Sequence, residues 1–181
     1  GTSCPVYRQL FRDSMPRDRA LQTVTLELEV PFEWRDPDCH LWFFRRGLPG
    51  CSWYVPKARG WLNVRVGGMA QQLKRRGEDI WQHWQTFAAD LRRRFDISVP
   101  ADPTGYSYYL RGPLPLSRSG NAYLTGDAAG LATRDLCEGI GPAVRSGMLA
   151  AAAITAGVSY DLAGVTGSSL GGGLVSRAVD W

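Results

Sequence analysis

Thr23-Val24-Thr25-Leu26-Glu27-Leu28-Glu29-Val30 alternates polar and apolar residues without interruption. Because successive side chains of a β-strand point to opposite faces, this alternation predicts a strand with Val24, Leu26, Leu28 and Val30 on its buried side. The threonines and glutamates are expected to face solvent. The stretch therefore predicts a β-sheet that packs one face against a core.

Three further strand candidates, rich in aromatic and β-branched residues, follow at residues 41–44, 53–55 and 61–66. The short turns between them, 47–50 and 56–60, predict an antiparallel meander. Residues 106–110 predict another strand, which a proline-rich extended connector follows.

Between residues 70 and 95 the apolar residues recur at helical spacing, which predicts one long amphipathic helix lying across the sheet. The stripe consists of Ile80, Trp84, Phe87, Leu91 and Phe95. Ordinary core packing is the preferred explanation of its aromatic residues. His83 lies off the stripe and is expected to be exposed.

A second pattern begins after the proline-rich connector. Residues 122–125 predict a short buried strand, the turn Gly126-Asp127-Ala128-Ala129-Gly130 follows it, and residues 141–156 predict a buried helix of small residues. Gly171-Gly172-Gly173 lies in a tail with only a weak helical pattern on either side. We therefore predict four parts: a connecting helix or linker (1–20), a sheet and helix (21–115), a strand-turn-helix segment (116–158) and a tail (159–181).

Composition limits the functional classes. The 181 residues carry a net charge of +4, and their basic residues cluster only at Lys74-Arg75-Arg76 and Arg92-Arg93-Arg94, so a solvated helix is preferred to a nucleic-acid surface. The four cysteines and two histidines lack metal-ligand spacing, so we predict no metal site, free thiols and a cytoplasmic location. The start at Gly1 suggests a cloning remnant or a cut through a longer gene product.

The turn at Asp127 suits a ligand that carries hydroxyl groups. An ionised aspartate only accepts hydrogen bonds, and small neighbours allow a ligand to come close. A plain helix cap explains the aspartate equally well. Glu138-Gly139-Ile140-Gly141-Pro142-Ala143, however, places glycines and a proline at the start of the small-residue helix. Free amides there could face an electron-rich group such as the pyrimidine edge of a reduced flavin, which favours a flavin site.

These motifs resemble the FAD-dependent oxidoreductases of the para-hydroxybenzoate hydroxylase type, most closely the geranylgeranyl reductase-like branch. Residues 123–131 look like the second flavin motif of that superfamily, whose aspartate binds the ribityl part of FAD. Residues 138–141, with 145–147, are similar to the segment beside the isoalloxazine. Residues 50–57 resemble the strand that lines the substrate cavity, and residues 3–8 resemble the short helix after the nucleotide-binding half.

The resemblance implies specific roles for ten residues. FAD would be bound by Gly126, Asp127, Ala128, Gly139, Ile140 and Gly141, and the substrate by Trp53, Tyr54, Val55 and Lys57. Sheet packing explains Trp53 and Tyr54 equally well. Cys51 and Cys137 depart from the residues usual in this branch, and no catalytic residue is predicted.

The implied fold class is α+β: an antiparallel substrate-domain sheet covered by a long helix, plus a strand-turn-helix segment of an incomplete FAD-binding domain. The domain is incomplete because no G-x-G-x-x-G follows a strand anywhere in the chain. FAD binding by this chain alone is therefore expected to be weak or absent. The surface around Leu124, Leu131 and Met148 is expected to be exposed, and the missing nucleotide-binding half or a homo-oligomer would cover it.

The expected function is that of the C-terminal part of an FAD-dependent oxidoreductase, one that reduces an isoprenoid-like or other hydrophobic substrate. One alternative is a fragment of a class A flavin monooxygenase or of a halogenase-like enzyme, which share the Gly-Asp motif. The other is a non-catalytic remnant or binding module that does not retain FAD. No nucleic-acid partner is expected, and nothing in the sequence points to contact with a membrane.

Overall fold

The computed structural model describes residues 2–100, 102–114 and 116–170. The chain divides into two compact units, the first formed by Gly1–Gln22 with Tyr108–Trp181 and the second by Thr23–Ser107. The fold combines helices with an antiparallel sheet, so the predicted α+β class is confirmed. The predicted pattern around Gly171–Gly173 lies outside the described residues.

The main sheet has five strands in the order β2-β3-β4-β1-β5. The strands are β1 (Gln22–Pro31), β2 (His40–Phe43), β3 (Gly50–Lys57), β4 (Trp61–Met69) and β5 (Thr104–Tyr109). Strands β2 to β4 form the predicted antiparallel meander. Strand β1 differs, because it pairs with β4 from Thr23 opposite Met69 to Pro31 opposite Trp61. The connection over residues 32–39 is long enough to carry the chain past β4 and β3 to the far edge.

Strand β1 is buried on both sides at its start. Leu26 belongs to the core as predicted, but Thr23 and Thr25 are buried as well, so the expectation of a solvated polar side is wrong here. The Thr25 hydroxyl donates to the Tyr106 carbonyl at 3.3 Å. Threonine tolerates this burial because a neighbouring strand supplies its hydrogen-bond acceptor.

The single helix predicted over residues 70–95 is two helices, α2 (Ala70–Arg76) and α3 (Ile80–Phe95). Gly77 ends α2 in the left-handed conformation, with φ at 68°. Asp79 then starts α3 with a capping box, in which its side chain accepts from the Gln82 amide and the Gln82 side chain accepts from the Asp79 amide. The two cap signals outweigh the continuous apolar stripe.

Helix α3 covers one face of the sheet. Trp84, Phe87 and Leu91 pack in one core with strand residues, namely Leu26, Tyr54, Leu62, Val64 and Val66. The predicted packing role of the aromatic stripe is confirmed. The prediction for His83 is wrong: only 11% of its side chain is exposed, and Nε2 lies 3.0 Å from Glu78 Oε2.

The first unit contains α1 (Pro5–Leu10), the short hairpin of β6 (Arg118–Ser119) with β7 (Ala122–Tyr123), and α4 (Ile140–Ala156). The strand predicted over 122–125 is thus only two residues long, because its antiparallel partner β6 is equally short. Leu124 and Leu131 are buried in one core with Tyr7, Phe11 and Leu162. The predicted exposure of these two leucines is therefore wrong.

Helix α4 buries small residues and exposes larger apolar ones. Its buried positions are Pro142, Ser146, Ala150 and Ala153. Its exposed apolar side chains include Ile140, Val144, Met148 and Ile154, here called the α4 stripe. Only the Met148 part of the expected exposed surface is confirmed, and the prediction of a fully buried helix is wrong. No helix of the described residues has the length and apolar character needed to cross a membrane.

Candidate functional site

The turn after β7 depends on two glycines. Residues Gly126–Ala129 form a 3₁₀ turn, and Gly126 and Gly130 have φ angles of 49° and 65°. Side-chain-bearing residues rarely adopt this left-handed region. A Cβ at Gly126 would also lie 3.0 Å from the Cβ of Ala143 in α4. The turn can therefore approach the helix closely only because position 126 lacks a side chain.

Ser146 fixes this turn to helix α4. The Gly126 amide donates to Ser146 Oγ at 3.0 Å, and Ser146 Oγ donates to the Ala143 carbonyl at 3.0 Å. Ser146 is fully buried. The family resemblance implied a position beside the isoalloxazine for residues 145–147 but no contact for Ser146, since an inward serine in a helix is not distinguishable by sequence from one that faces solvent.

Asp127 and Gly139, which belong to the two predicted flavin motifs, lie side by side. A Cβ built on Gly139 would be 3.2 Å from Asp127 Oδ1. The carboxyl group is half-buried. The missing side chain at position 139 lets the backbone lie close to an oxygen that accepts hydrogen bonds, which is the chemistry that a ribityl hydroxyl requires. The two motifs therefore form one local site in the first unit.

The first turn of α4 already carries an anionic group. Glu138 Oε1 accepts a hydrogen bond from the Gly141 amide at 2.8 Å. A carboxylate is favourable at this end of the helix because of the helix dipole. The expectation of a free amide at Gly141 is therefore wrong, whereas Ile140 is 80% exposed beside it. The Glu138 backbone is fixed in turn, since its amide donates to Thr133 Oγ1 and its carbonyl accepts from the Thr133 amide.

A buried carboxylate anchors the loop between the two motifs. Asp135 accepts hydrogen bonds from Ser168 Oγ at 2.6 Å and from the amides of Ser169 and Leu170 at 2.9 and 2.8 Å. Its own neighbour Leu136 supplies a further amide at 2.8 Å. Burial alone would raise the pKa of Asp135, but these hydrogen bonds together hold it well below the usual range. The loop therefore rests on an ionised group.

Arg17 contacts the same turn from the N-terminal segment. Its Nη2 donates to the Ala128 carbonyl at 2.6 Å, and its guanidinium lies 3.6 Å from the ring centroid of Tyr7. Burial lowers the pKa of Arg17, although Tyr7, Tyr109 and Asp127 act in the opposite direction. The sequence analysis missed this residue. No local signal could have found it, because 111 positions separate Arg17 from Ala128.

The predicted substrate residues of β3 lie on two different faces of the sheet. Tyr54 is buried against α3, and its hydroxyl donates to the Asp36 carbonyl at 2.9 Å. Burial raises the pKa of this hydroxyl. Trp53, Val55 and Lys57 alternate with Tyr54 and therefore share the opposite face. The structure thus groups three of the four residues and separates Tyr54 from them.

The face that carries Trp53 combines an apolar part with a polar row. Leu41 stands opposite Trp53 in β2 and is exposed. Trp53 Nε1 donates to Asn63 Oδ1 at 2.6 Å, and Asn63 Nδ2 donates to Glu27 Oε1 at 2.7 Å. At the end of the strand, Lys57 Nζ donates to Glu29 Oε2 at 2.7 Å, a bond that lowers the pKa of Glu29.

The predicted cofactor residues all lie in the first unit, and the predicted substrate residues all lie in the second. Within the described ranges, no group of three or more His, Cys, Asp or Glu side chains is placed to hold a metal ion. The chemical features of the first unit are an acceptor carboxylate, close-approach glycines and a capped helix start.

Comparison with known proteins agrees with the fold. No family model matches the chain, and no curated protein gives a significant match. Among solved structures, a geranylgeranyl bacteriochlorophyll reductase-like protein from Thermoplasma acidophilum shares the fold, with a TM-score of 0.59 and 21% identity. The match covers 77% of this chain and 36% of that protein. The chain therefore spans about a third of that protein's length, and the likeness establishes a shared fold.

Proposed function

We propose that this chain is part of an FAD-dependent oxidoreductase and contributes the ribityl-contact side of its flavin site. The observation that carries the proposal is the placement of Gly139 beside the Asp127 carboxylate, with 3.2 Å from the Gly139 Cβ position to Oδ1. Two motifs that resemble the flavin motifs of one superfamily meet at this point. When bound, the flavin would supply electron transfer to or from the substrate.

The residues of the site would act on the cofactor in separate ways. Asp127 would accept hydrogen bonds from ribityl hydroxyls, and Gly126, Ala128 and Gly139 would allow close approach. Ile140 and Gly141 would contact the flavin at the start of α4. Because Glu138 caps the Gly141 amide, its carboxylate would have to turn away for an electron-rich group to bind there.

For the substrate, we propose an isoprenoid-like or other hydrophobic molecule that also carries a polar group. Trp53 and Val55, together with the exposed Leu41, offer apolar surface on one face of the sheet. Lys57 and Asn63 on the same face offer hydrogen-bonding groups. The reaction proposed is reduction of the substrate, for which the name of the structural neighbour is a supporting analogy.

The exposed α4 stripe is an argument for a second component of the enzyme that packs on this helix. Helices that expose large apolar side chains usually cover them in an assembly. We propose that a nucleotide-binding half, or a second copy of this chain, packs on Val144 and Met148, which are exposed. Such a half would supply a dinucleotide-binding turn for FAD, and the chain alone is expected to bind FAD weakly for this reason.

The test measures FAD binding by the 181-residue chain, and quenching of flavin fluorescence is the readout. Asp127→Asn keeps the shape but removes the charge, and it should weaken binding about tenfold, the effect of losing a charge-assisted hydrogen bond. The matched control is Asp161→Asn, since Asp161 is an exposed aspartate whose side chain accepts from the Ala163 amide. Equal affinity of both variants, or no FAD binding once the nucleotide-binding half is supplied, would instead favour the non-catalytic remnant.

A monooxygenase is distinguished by its use of oxygen. The assembled, reduced enzyme should pass its electrons to the organic substrate without incorporating oxygen into it. Hydroxylation or halogenation of the substrate, with matching oxygen consumption, would exclude the reductase and assign the alternative class.

A further inference from the structure

A cavity of about 660 Å³ in the first unit is lined mainly by cationic and aromatic side chains. They are Arg8, Arg12, Arg17, Arg19, Tyr7 and Tyr109. Its volume lies in the range of cavities that hold small organic ligands. The proposed flavin contacts at Asp127 and Gly139 do not line this cavity.

The positive charges of the cavity are poorly compensated. Asp13 is the one acidic residue among the described lining residues, so Arg8, Arg12 and Arg19 minus one aspartate leave a formal excess of two positive charges. Arg17 adds a fourth guanidinium, on which Asp127 acts from outside the lining. Arg8, Arg12 and Arg19 are exposed, and their guanidinium groups form no ion pair within the part of the chain that the structure describes. In the second unit, by contrast, Asp90 forms ion pairs with Arg45, Arg46 and Arg93.

Arg17 gives the cavity a fixed cationic wall. Its guanidinium lies 3.6 Å from the ring centroid of Tyr7 and 5.0 Å from that of Tyr109. The hydrogen bond from Arg17 Nη2 to the Ala128 carbonyl fixes one edge of the guanidinium group. Stacking and hydrogen bonding restrict the rotamers of this long side chain, so less entropy is lost when an anion binds.

We propose that this cavity binds a ligand that carries a pyrophosphate group. Guanidinium groups match phosphate oxygens in charge and in bidentate geometry, and several of them on one cavity suit a polyanion better than a single carboxylate. The tyrosine rings offer faces on which a planar part of the ligand can stack. The pyrophosphate can belong to FAD or to a separate phosphorylated ligand, since both share this chemistry.

The experiment is calorimetric titration of the 181-residue chain with inorganic pyrophosphate. The double variant Arg12→Gln with Arg19→Gln should bind at least about tenfold more weakly, because two charge-assisted contacts are lost. The control removes two exposed arginines of the second unit, Arg75→Gln with Arg92→Gln, which changes the net charge equally. Its affinity should stay within about twofold, because exposed charges that do not line the cavity are largely screened.

Two results would overturn the proposal: no pyrophosphate binding by the unmodified chain, or equal weakening in both double variants. Repeating the titration with FAD present identifies the source of the phosphate. Competition would identify the flavin, whereas unchanged binding would identify a separate phosphorylated ligand. The titration needs no flavin, so its failure is distinguishable from failure of the Asp127 test.

Discussion

The amide of Gly126 donates a hydrogen bond of 3.0 Å to the hydroxyl of Ser146, and this bond joins the turn Gly126–Ala129 to helix α4. Ser146→Ala would leave a buried amide without its acceptor, so we expect a loss of about 1–2 kcal/mol in the free energy of unfolding. Urea unfolding measures it. Thr155→Ala is the matched control, because Thr155 makes a similar helix bond but is exposed. A loss as large in the control would show that the effect lies in the helix itself.

Gly139→Ala should weaken flavin binding and leave the fold intact. Gly139 has a φ of −116°, which alanine adopts without strain, but the new methyl group would sit 3.2 Å from Asp127 Oδ1. Flavin fluorescence titration should show a loss of about tenfold or more, because the methyl would crowd the carboxylate oxygen that is proposed to accept from a ribityl hydroxyl. Gly147→Ala is the control, since a Cβ there meets nothing within 4 Å. Unchanged affinity of Gly139→Ala would place the cofactor elsewhere.

Asp135 should make the first unit sensitive to acid. Its folded-state pKa is lowered, so its contribution to stability is complete above the unfolded value of about 3.9 and is lost as the pH falls below it. Asp135→Asn should cost about 1–3 kcal/mol at neutral pH and flatten the acid limb of the stability profile. Asp38→Asn, at an exposed aspartate of the second unit, should leave the profile unchanged. Parallel acid limbs in wild type and Asp135→Asn would contradict the assignment.

Gly50→Ala should severely destabilise the sheet. A Cβ at this position would lie 1.8 Å from the Gly67 carbonyl oxygen in the adjacent strand, and a backbone atom cannot move away without breaking the β3–β4 pairing. We expect a loss above about 3 kcal/mol, measured as thermal or urea unfolding. Gly105→Ala, where the nearest atom is a Leu26 methyl at 3.8 Å, should be tolerated within about 1 kcal/mol.

The α4 stripe should control association. Val144→Gln with Met148→Gln alters exposed side chains, so the free energy of unfolding should change by less than about 0.5 kcal/mol. Sedimentation should show less self-association than in wild type, because the apolar surface is reduced. Lys74→Gln with Arg75→Gln offers a control on an exposed helix of the second unit. If both double variants sediment like wild type, the stripe is not an association surface.

Local patterns predicted the strands well and the long-range pairings poorly. The alternation in β1 and β4 and the stripe of α3 are properties of neighbouring residues, so they could be derived from the sequence. The break between α2 and α3 was also present there, as Gly77 followed by the Asp79 and Gln82 caps, but the continuous stripe obscured it. The pairing of β1 with β4 left no local signal, because hydrogen bonds between distant strands do not depend on side-chain type.

In the candidate site, too, local motifs predicted some features, whereas others depend on contacts between distant parts of the sequence. Asp127 and Gly139 were predicted from motifs, and their proximity follows once the strand-turn-helix forms. The contact of Arg17 with Ala128 and the burial of Leu124 depend on the N-terminal segment folding back on the turn. The spacing of motifs along the sequence does not predict that the N-terminal segment packs against this turn. Tyr54 was grouped with Trp53 because the resemblance extended along β3, although alternation separates neighbours onto opposite faces.

The bond from the Gly141 amide to Glu138 means that the chain carries its own competitor for the start of α4. Binding at this point is then an exchange reaction, in which an incoming group must displace a carboxylate that is already tethered nearby at a high effective concentration. A neutral group gains little from such an exchange, whereas a strongly electron-rich one gains more. We therefore expect an anionic ligand to compete with Glu138 for the Gly141 amide better than a neutral one does.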